Sequence, residues 1–270
     1  FNSVANLIAR HESENIRQFV EKSFLSWHRN RVADRERKEA TQMELALNRA
    51  GFKTGQKAPK KFKKQSQQVH RLRRRADNRI NKTWAEFEER IEFLQVYGYL
   101  EEDLTFNAGC KALLHFQIQE IFATELFLEG VFDDLSPGIL FGVLCGMVVD
   151  LPRGVRVFEA RRHKGFSKRI ERVLKSDVVQ DGAAITRMPL VWDASMIPLG
   201  KAWADGRSLA EVLDMLDYET DVSGTLVGAF RRAKDLATQL RGAWSDFPDK
   251  HQMIIDLIRS ISRDEVEVVA

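Results

Sequence analysis

Several things are missing from this sequence, and each absence removes a class of function. No G-x-x-x-x-G-K-[ST] run occurs, so no loop is built to cradle nucleotide phosphates. No H-E-x-x-H and no Cys/His pairing occurs. The histidines at 11, 28, 70, 115, 163 and 251 are scattered, which argues against a metal site. Only two cysteines are present, Cys110 and Cys145, both among apolar neighbours. That fits buried thiols in a reducing, cytoplasmic setting, not a disulfide framework. No window reaches the roughly 18 apolar residues of a membrane span. The longest run, 139–149, stops at Asp150. The first residues have neither the basic region nor the cleavage site of a signal peptide. They also lack an initiator Met and begin inside an amphipathic pattern, so the chain is expected to be part of a longer polypeptide. The acidic run DEVE at 264–267 has no phosphate loop upstream and reads as a charged helix end. No catalytic constellation is visible, and the chain is not expected to catalyse a reaction alone.

What is there is a core and an uneven charge. Hydrophobic residues make up 44% of the 270, enough to build a packed interior and to argue against wholesale disorder. The net charge is +3, yet residues 29–90 hold 19 Lys/Arg against 8 Asp/Glu, a local +11, so the remainder sums to −8. Such block asymmetry points to a polyanionic partner or an exposed arm.

Periodicity sorts the chain into helices. Val4, Leu7, Ile8, Ile16, Phe19, Val20, Phe24 and Trp27 recur at three and four, predicting helix over 1–28 with a break near 13–15. Residues 29–84 form two charged helices joined by the basic loop KTGQKAPKKFKKQSQQ, a hairpin with a thin apolar stripe. After the second helix, GYL and then EED, LTF and NAG predict two short strands, with a turn at Asn107, Ala108 and Gly109. A helix, Gly-Tyr-Leu and a small hairpin is the pattern that ends a winged-helix domain.

From Gln117 onward the chain reads as successive helices, with no βαβ alternation. Ser136 and Pro137 start a helix of three to four turns. Gly138, Gly142 and Gly146 share one of its faces, so a neighbouring helix can approach closely. The segment 154–179 is basic and amphipathic. Ser208 and Glu211 form a capping box.

Two features carry candidate chemistry. The basic insert holds Lys57, Lys60, Lys61, Lys63, Lys64, Arg71, Arg73, Arg74, Arg75 and Arg79 against Asp77 alone. Such clusters bind phosphate backbones by counterion release, without sequence preference. A solvated surface is the plainer explanation. A second cluster, Arg153, Arg156, Arg161, Arg162, Lys164, Lys168, Arg169, Arg172 and Lys175, fits an ordinary basic helix face. On the helix from Ser223 to Trp244, Leu226, Phe230, Ala233, Ala237, Leu240 and Trp244 form an apolar stripe. Gly228, Arg232, Asp235 and Gln239 form a polar one. The polar stripe suits either a nucleic-acid strand, with Arg232 on a phosphate or a base, or a plain surface with an Arg232–Asp235 pair.

The segments FATELFLEGVFDDLSPGILFGVLCGMVVD and IPLGKAWADGRSLAEVLDMLDYETDVSGTLVGAFRRAKDLATQL resemble the paired motifs of the DSHCT domain. That domain is the C-terminal part of superkiller/DOB/HelY-like superfamily-two RNA helicases. LIRSISRDEVEVV resembles its last helix. FNSVANLIAR, FVEKSFLSWH and RIEFLQVYGYL resemble the family's winged helix, which an arch interrupts.

The resemblance implies a mainly α fold. A DSHCT-like helical bundle at 119–270 packs on a split winged helix at 1–28 and 85–118, with the basic helical hairpin at 29–84 replacing the usual arch. It further implies an accessory region of an ATP-dependent RNA helicase that guides single-stranded RNA along a ratchet-like helix. The candidate contacts there are Arg231, Arg232, Asp235 and Gln239, Asp235 standing where the family usually has Glu. The implied partners are RNA, motor domains of the same polypeptide and an exonuclease, with no membrane. ATP and magnesium belong to the motor, not to this chain. The competing reading is a docking module that takes an acidic protein, a nuclease or a ribosome-associated factor, through residues 29–84.

Overall fold

The computed structural model describes residues 1–10, 13–52, 59–149, 151–152, 154–158, 164–218 and 221–267. Helix dominates. In chain order the elements are α1 (Asn2–Arg10), α2 (Ser13–Lys22), α3 (Phe24–Arg49), α4 (Lys63–Val96), α5 (Ala108–Leu113), α6 (Glu120–Leu128) and α7 (Pro137–Gly146). They continue with β1 (Arg156–Val157), α8 (Lys164–Leu174), α9 (Asp177–Thr186), α10 (Met196–Ala204), α11 (Leu209–Leu213), β2 (Leu216–Asp217), α12 (Ser223–Ala243) and α13 (Pro248–Ile261). The chain divides into two units: Leu7–Phe93, and Phe1–Asn6 with Leu94–Ala270.

In the unit Leu7–Phe93, α3 and α4 form an antiparallel hairpin. Ser23 caps α3, its hydroxyl accepting from the Ser26 backbone N–H at 3.2 Å. The cap restarts the helix in a new rotation, and this overturns one expectation. Val4, Ile8, Ile16 and Val20 are buried as the periodicity predicts, but Phe24 and Trp27, which follow the cap, are exposed; Phe19, before it on α2, is exposed as well. The buried positions of α3 are instead Ser26, Ala33, Ala40 and Leu47, a strict seven-residue repeat of mostly small residues. A seven-residue repeat keeps one seam of a helix facing its partner. Near the tip, Ala40, Leu47, Phe52, Val69 and Leu72 make a small core, flanked by Met43 and Phe62.

The second unit packs most tightly where α7 crosses α10. A Cβ placed on Gly142 would lie 2.3 Å from the Ile197 carbonyl oxygen, and one on Gly200 would lie 2.6 Å from the Gly142 Cα. Backbone meets backbone there, which only glycine allows. α7 stops after ten residues, shorter than expected. The Gly146 carbonyl accepts from the Asp193 N–H at 2.9 Å, and a Cβ at Gly146 would strike the Asp193 carbonyl.

Phe230 of α12 then packs between Phe141 of α7, at 5.8 Å, and Trp203 of α10, at 5.2 Å. Trp203 donates to the Ile261 carbonyl of α13 at 3.1 Å, and the Arg263 guanidinium lies 3.8 Å over its ring. The expected apolar stripe of α12, from Leu226 to Trp244, is buried throughout. The capping box is present, with Ser208 and Glu211 exchanging hydrogen bonds.

Three details differ from the sequence reading. The turn after α4 lies between the bridged residues Leu100 and Phe106, with Leu104 at φ 68°, while Asn107 precedes α5, its side-chain amide donating back to the Gly98 carbonyl and to Glu101. The region expected to be all helix contains β1 paired antiparallel with β2. The last motif is not one continuous helix: α13 ends at Ile261, and Asp264–Val266 form a 3-10 turn with Val266 buried.

The crossing of α7 and α10 predicts that Gly142→Ala and Gly200→Ala each cost about 1–3 kcal/mol of unfolding free energy. Gly228→Ala, whose new Cβ meets nothing within 4 Å, should gain up to about 1 kcal/mol. Urea denaturation measures all three.

Tyr97 donates to Asp181, and that bond, with the negative charge of Asp181 and Asp177 nearby, pushes its phenol up to about 12. The folded state then holds a proton that the unfolded chain releases near pH 10. The contribution is complete below pH 10 and is lost as pH rises towards 12. Stability measured across that window should fall more steeply for the native chain than for Tyr97→Phe.

Candidate nucleic-acid interface

α12 presents its polar side because its other side is fixed. With Leu226, Phe230, Ala233 and Leu240 buried, Arg231, Arg232 and Asp235 are left on the outward side. These three do not play one part. Arg231 is held against the 3-10 turn, its Nε and Nη2 donating to the Glu265 carbonyl at 3.0 and 2.5 Å. Among the described residues Arg232 makes only a long contact, 3.4 Å, from Nε to the Gly228 carbonyl one turn back. No ion pair joins it to Asp235 among the described residues. Gly228 leaves open space beside it.

Gln239, expected on the same stripe, is half-buried. Its Oε1 accepts the backbone N–H of Gln117 at 2.7 Å and of Ile118 at 3.4 Å. The same loop is held from its other side by Gln119, whose Nε2 donates to the Met147 and Val191 carbonyls at 2.6 Å each. Gln239 therefore anchors a loop, and the open part of the face is Gly228, Arg232 and Asp235.

The hairpin sorts its charges. Arg79 pairs with Glu36 at 3.1 Å, Arg37 with Asp77 at 2.8 Å and Arg29 with Glu86 at 2.9 Å; Arg73 also pairs with Glu44. As one partner moves up α3, the other moves down α4, which is the register of an antiparallel pair. Burial opposes ionisation of Glu86, but Arg29, Lys82 and Arg90 together hold its carboxyl below the usual carboxylate range.

Sequence reasoning set only Asp77 against these cations and missed Glu36 and Glu44, which lie across the hairpin. The opposed order of charges on the two helices was the signal available. Lys60, Lys61, Lys63, Lys64, Arg71, Arg74 and Arg75 are exposed, and none makes an ion pair among the described residues. Lys61 lies 5.5 Å over the Phe62 ring. Lys57 lies outside the described residues.

The second basic cluster is partly engaged. Arg169 donates to the Glu129 carbonyl and Arg172 pairs with its carboxylate at 3.4 Å. Arg153, Arg161 and Arg162 lie outside the described residues. Among the described residues no group of His, Cys, Asp or Glu is gathered to hold a metal, and no helix is long and apolar enough to cross a membrane.

A helical bundle in which one long helix turns a polar, glycine-opened face outward defines the class of domain. The comparison with family models supplies the family. Residues 114–268 match the DSHCT (NUC185) domain, more than half of the sequence, and the chain belongs to the DSHCT family. That domain is typical of the C-terminal regions of helicases. A comparison with curated proteins found no match.

The two adjacent arginines differ in a testable way. Arg231→Ala removes hydrogen bonds to the Glu265 carbonyl and should cost about 1 kcal/mol in urea denaturation. Arg232→Ala should stay within about 0.5 kcal/mol of the native chain.

Proposed function

We propose that this chain is the C-terminal accessory region of an ATP-dependent RNA helicase. It binds single-stranded RNA along the outward face of α12, with Arg232 and Asp235 as contacts, while the basic hairpin engages nucleic acid through its phosphates. Arg231 and Gln239 hold that face in place. Motor domains of the same polypeptide supply ATP hydrolysis with magnesium, and an exonuclease is a fitting partner for the emerging strand.

The observation that carries this reading is the sorting of charge in the hairpin. Carboxylates of α3 are drawn to arginines of α4, so the exposed cations from Lys60 to Arg75, Arg73 excepted, meet solvent with no ion pair among the described residues. An array of that kind binds polyanions by releasing counterions. Membership of the DSHCT family supports the helicase context.

Titration of the chain with single-stranded RNA at several salt concentrations tests it. Affinity should fall steeply with salt and depend little on sequence. Reversing Lys60, Lys61, Lys63 and Lys64 to Glu should weaken binding at least tenfold. It should also reduce the salt slope by about 0.7 for each phosphate that is no longer neutralised. Arg232→Glu should weaken binding further. Binding indifferent to both salt and these changes sinks the reading. A complex that survives nuclease treatment and requires residues 29–84 identifies an acidic protein as the occupant instead.

A further inference from the structure

α3 has a second row of side chains, on the side away from its buried seam. Phe24, Trp27, His28, Arg31, Arg35 and Lys38 recur at steps of three and four, so they lie along one face. Ser26, Ala33 and Ala40 occupy the buried seam. The row is open to solvent, with Phe24 exposed at 77% and Trp27 at 50%.

These are not scattered surface hydrophobics. The Phe24 and Trp27 rings stack at 5.7 Å and 29°, His28 lies 6.4 Å from Phe24, and the Arg31 guanidinium sits 5.3 Å over Trp27. Ring faces are thus held in a fixed relation to one another and to a cation. Beyond them Arg31, Arg35 and Lys38 continue the row, and none makes an ion pair among the described residues. Glu36 and Glu44 are drawn to α4 by Arg79 and Arg73, while Asp34 and Glu39 flank the row. A shallow depression lined by Asp34, Arg37, Lys38, Thr41 and Gln42 prolongs it.

We propose that this row is a stacking platform for single-stranded nucleic acid, with unpaired bases lying on Phe24 and Trp27 and phosphates following Arg31, Arg35 and Lys38. It rests on the reading of the hairpin as a nucleic-acid element and names the form of strand taken there, one with its bases free. The row is about 21 Å long, room for a few nucleotides. Aromatic faces joined to a track of cations are the recurring design of sequence-tolerant single-strand binding. A protein-docking patch is depleted of Lys, whereas here Lys38 extends a track of three cations beyond the rings. Duplex cannot use the platform, because its base faces are already stacked.

The test uses the full chain with three probes: a ten-nucleotide single-stranded RNA, an RNA duplex, and an abasic oligomer of the same phosphate charge. Phe24 and Trp27 are exposed, so the double variant F24A/W27A should keep the native helical spectrum and melting temperature. It should bind the single strand at least about tenfold more weakly, with an unchanged salt slope and unchanged affinity for the abasic oligomer. R31E/R35E/K38E should weaken all three probes. In the native chain the single strand, but not the abasic oligomer, should quench Trp27 emission, and W27F should remove that signal.

If F24A/W27A binds the single strand as the native chain does, while reversal of the tip lysines weakens it, the platform is overturned and the hairpin reading stands. If the native chain binds none of the probes, both fall. If F24A/W27A changes only the oligomeric state in sedimentation, the rings cover a protein surface and the platform is overturned.

Discussion

The larger unit depends on one contact that has no side chain in it: the approach of α7 to α10 at Gly142 and Gly200. Because these backbones nearly touch, Trp203 on α10 and Phe141 on α7 are close enough to enclose Phe230 from both sides. That enclosure fixes the rotation of α12. The rotation in turn decides that Arg232 meets solvent while Arg231 reaches the Glu265 carbonyl. A methyl group at either glycine would separate the helices and turn the polar face of α12 with them. The helix-propensity cost of glycine, about 1 kcal/mol each, is small beside what the close approach organises.

The hairpin solves a different problem. Two highly charged helices with a seam of alanines have little apolar area to bury, so their register needs another source of specificity. Glu36, Glu44, Asp77 and Glu86 supply it by meeting arginines across the pair. Each surface ion pair is worth little on its own, and their value here lies in selecting one alignment. The same pairing has an electrostatic result, because acids drawn towards the partner helix leave cations in the majority outside.

Much of this was legible in the sequence because it is local. The start of α7 at Ser136 and Pro137, the Ser208–Glu211 box, the glycine face and the buried stripe of α12 all depend on neighbours within a turn or two. What was not legible depends on partners far along the chain. Phe24 and Trp27 look like a continuation of the apolar pattern of Ile16 and Val20; only the Ser23 cap and the alanine repeat of α3 turn them outward. Gln239 reads as one more polar surface residue until the loop at 117–118 is laid beside it. β1 and β2 are two residues each, and neither has a signal of its own without the other. Arg73 and Arg79 looked unopposed because their carboxylates lie across the hairpin.

The seven-residue repeat of α3 makes the hairpin adjustable. Chain enters and leaves it at the same end, and every seventh residue returns to the same seam. Seven residues added to or removed from each helix would therefore move the lysine-rich tip by about 10 Å without disturbing the root or the facing of any remaining side chain. The length of the hairpin can thus change in discrete increments, like rungs on a ladder, with the register of the pair kept.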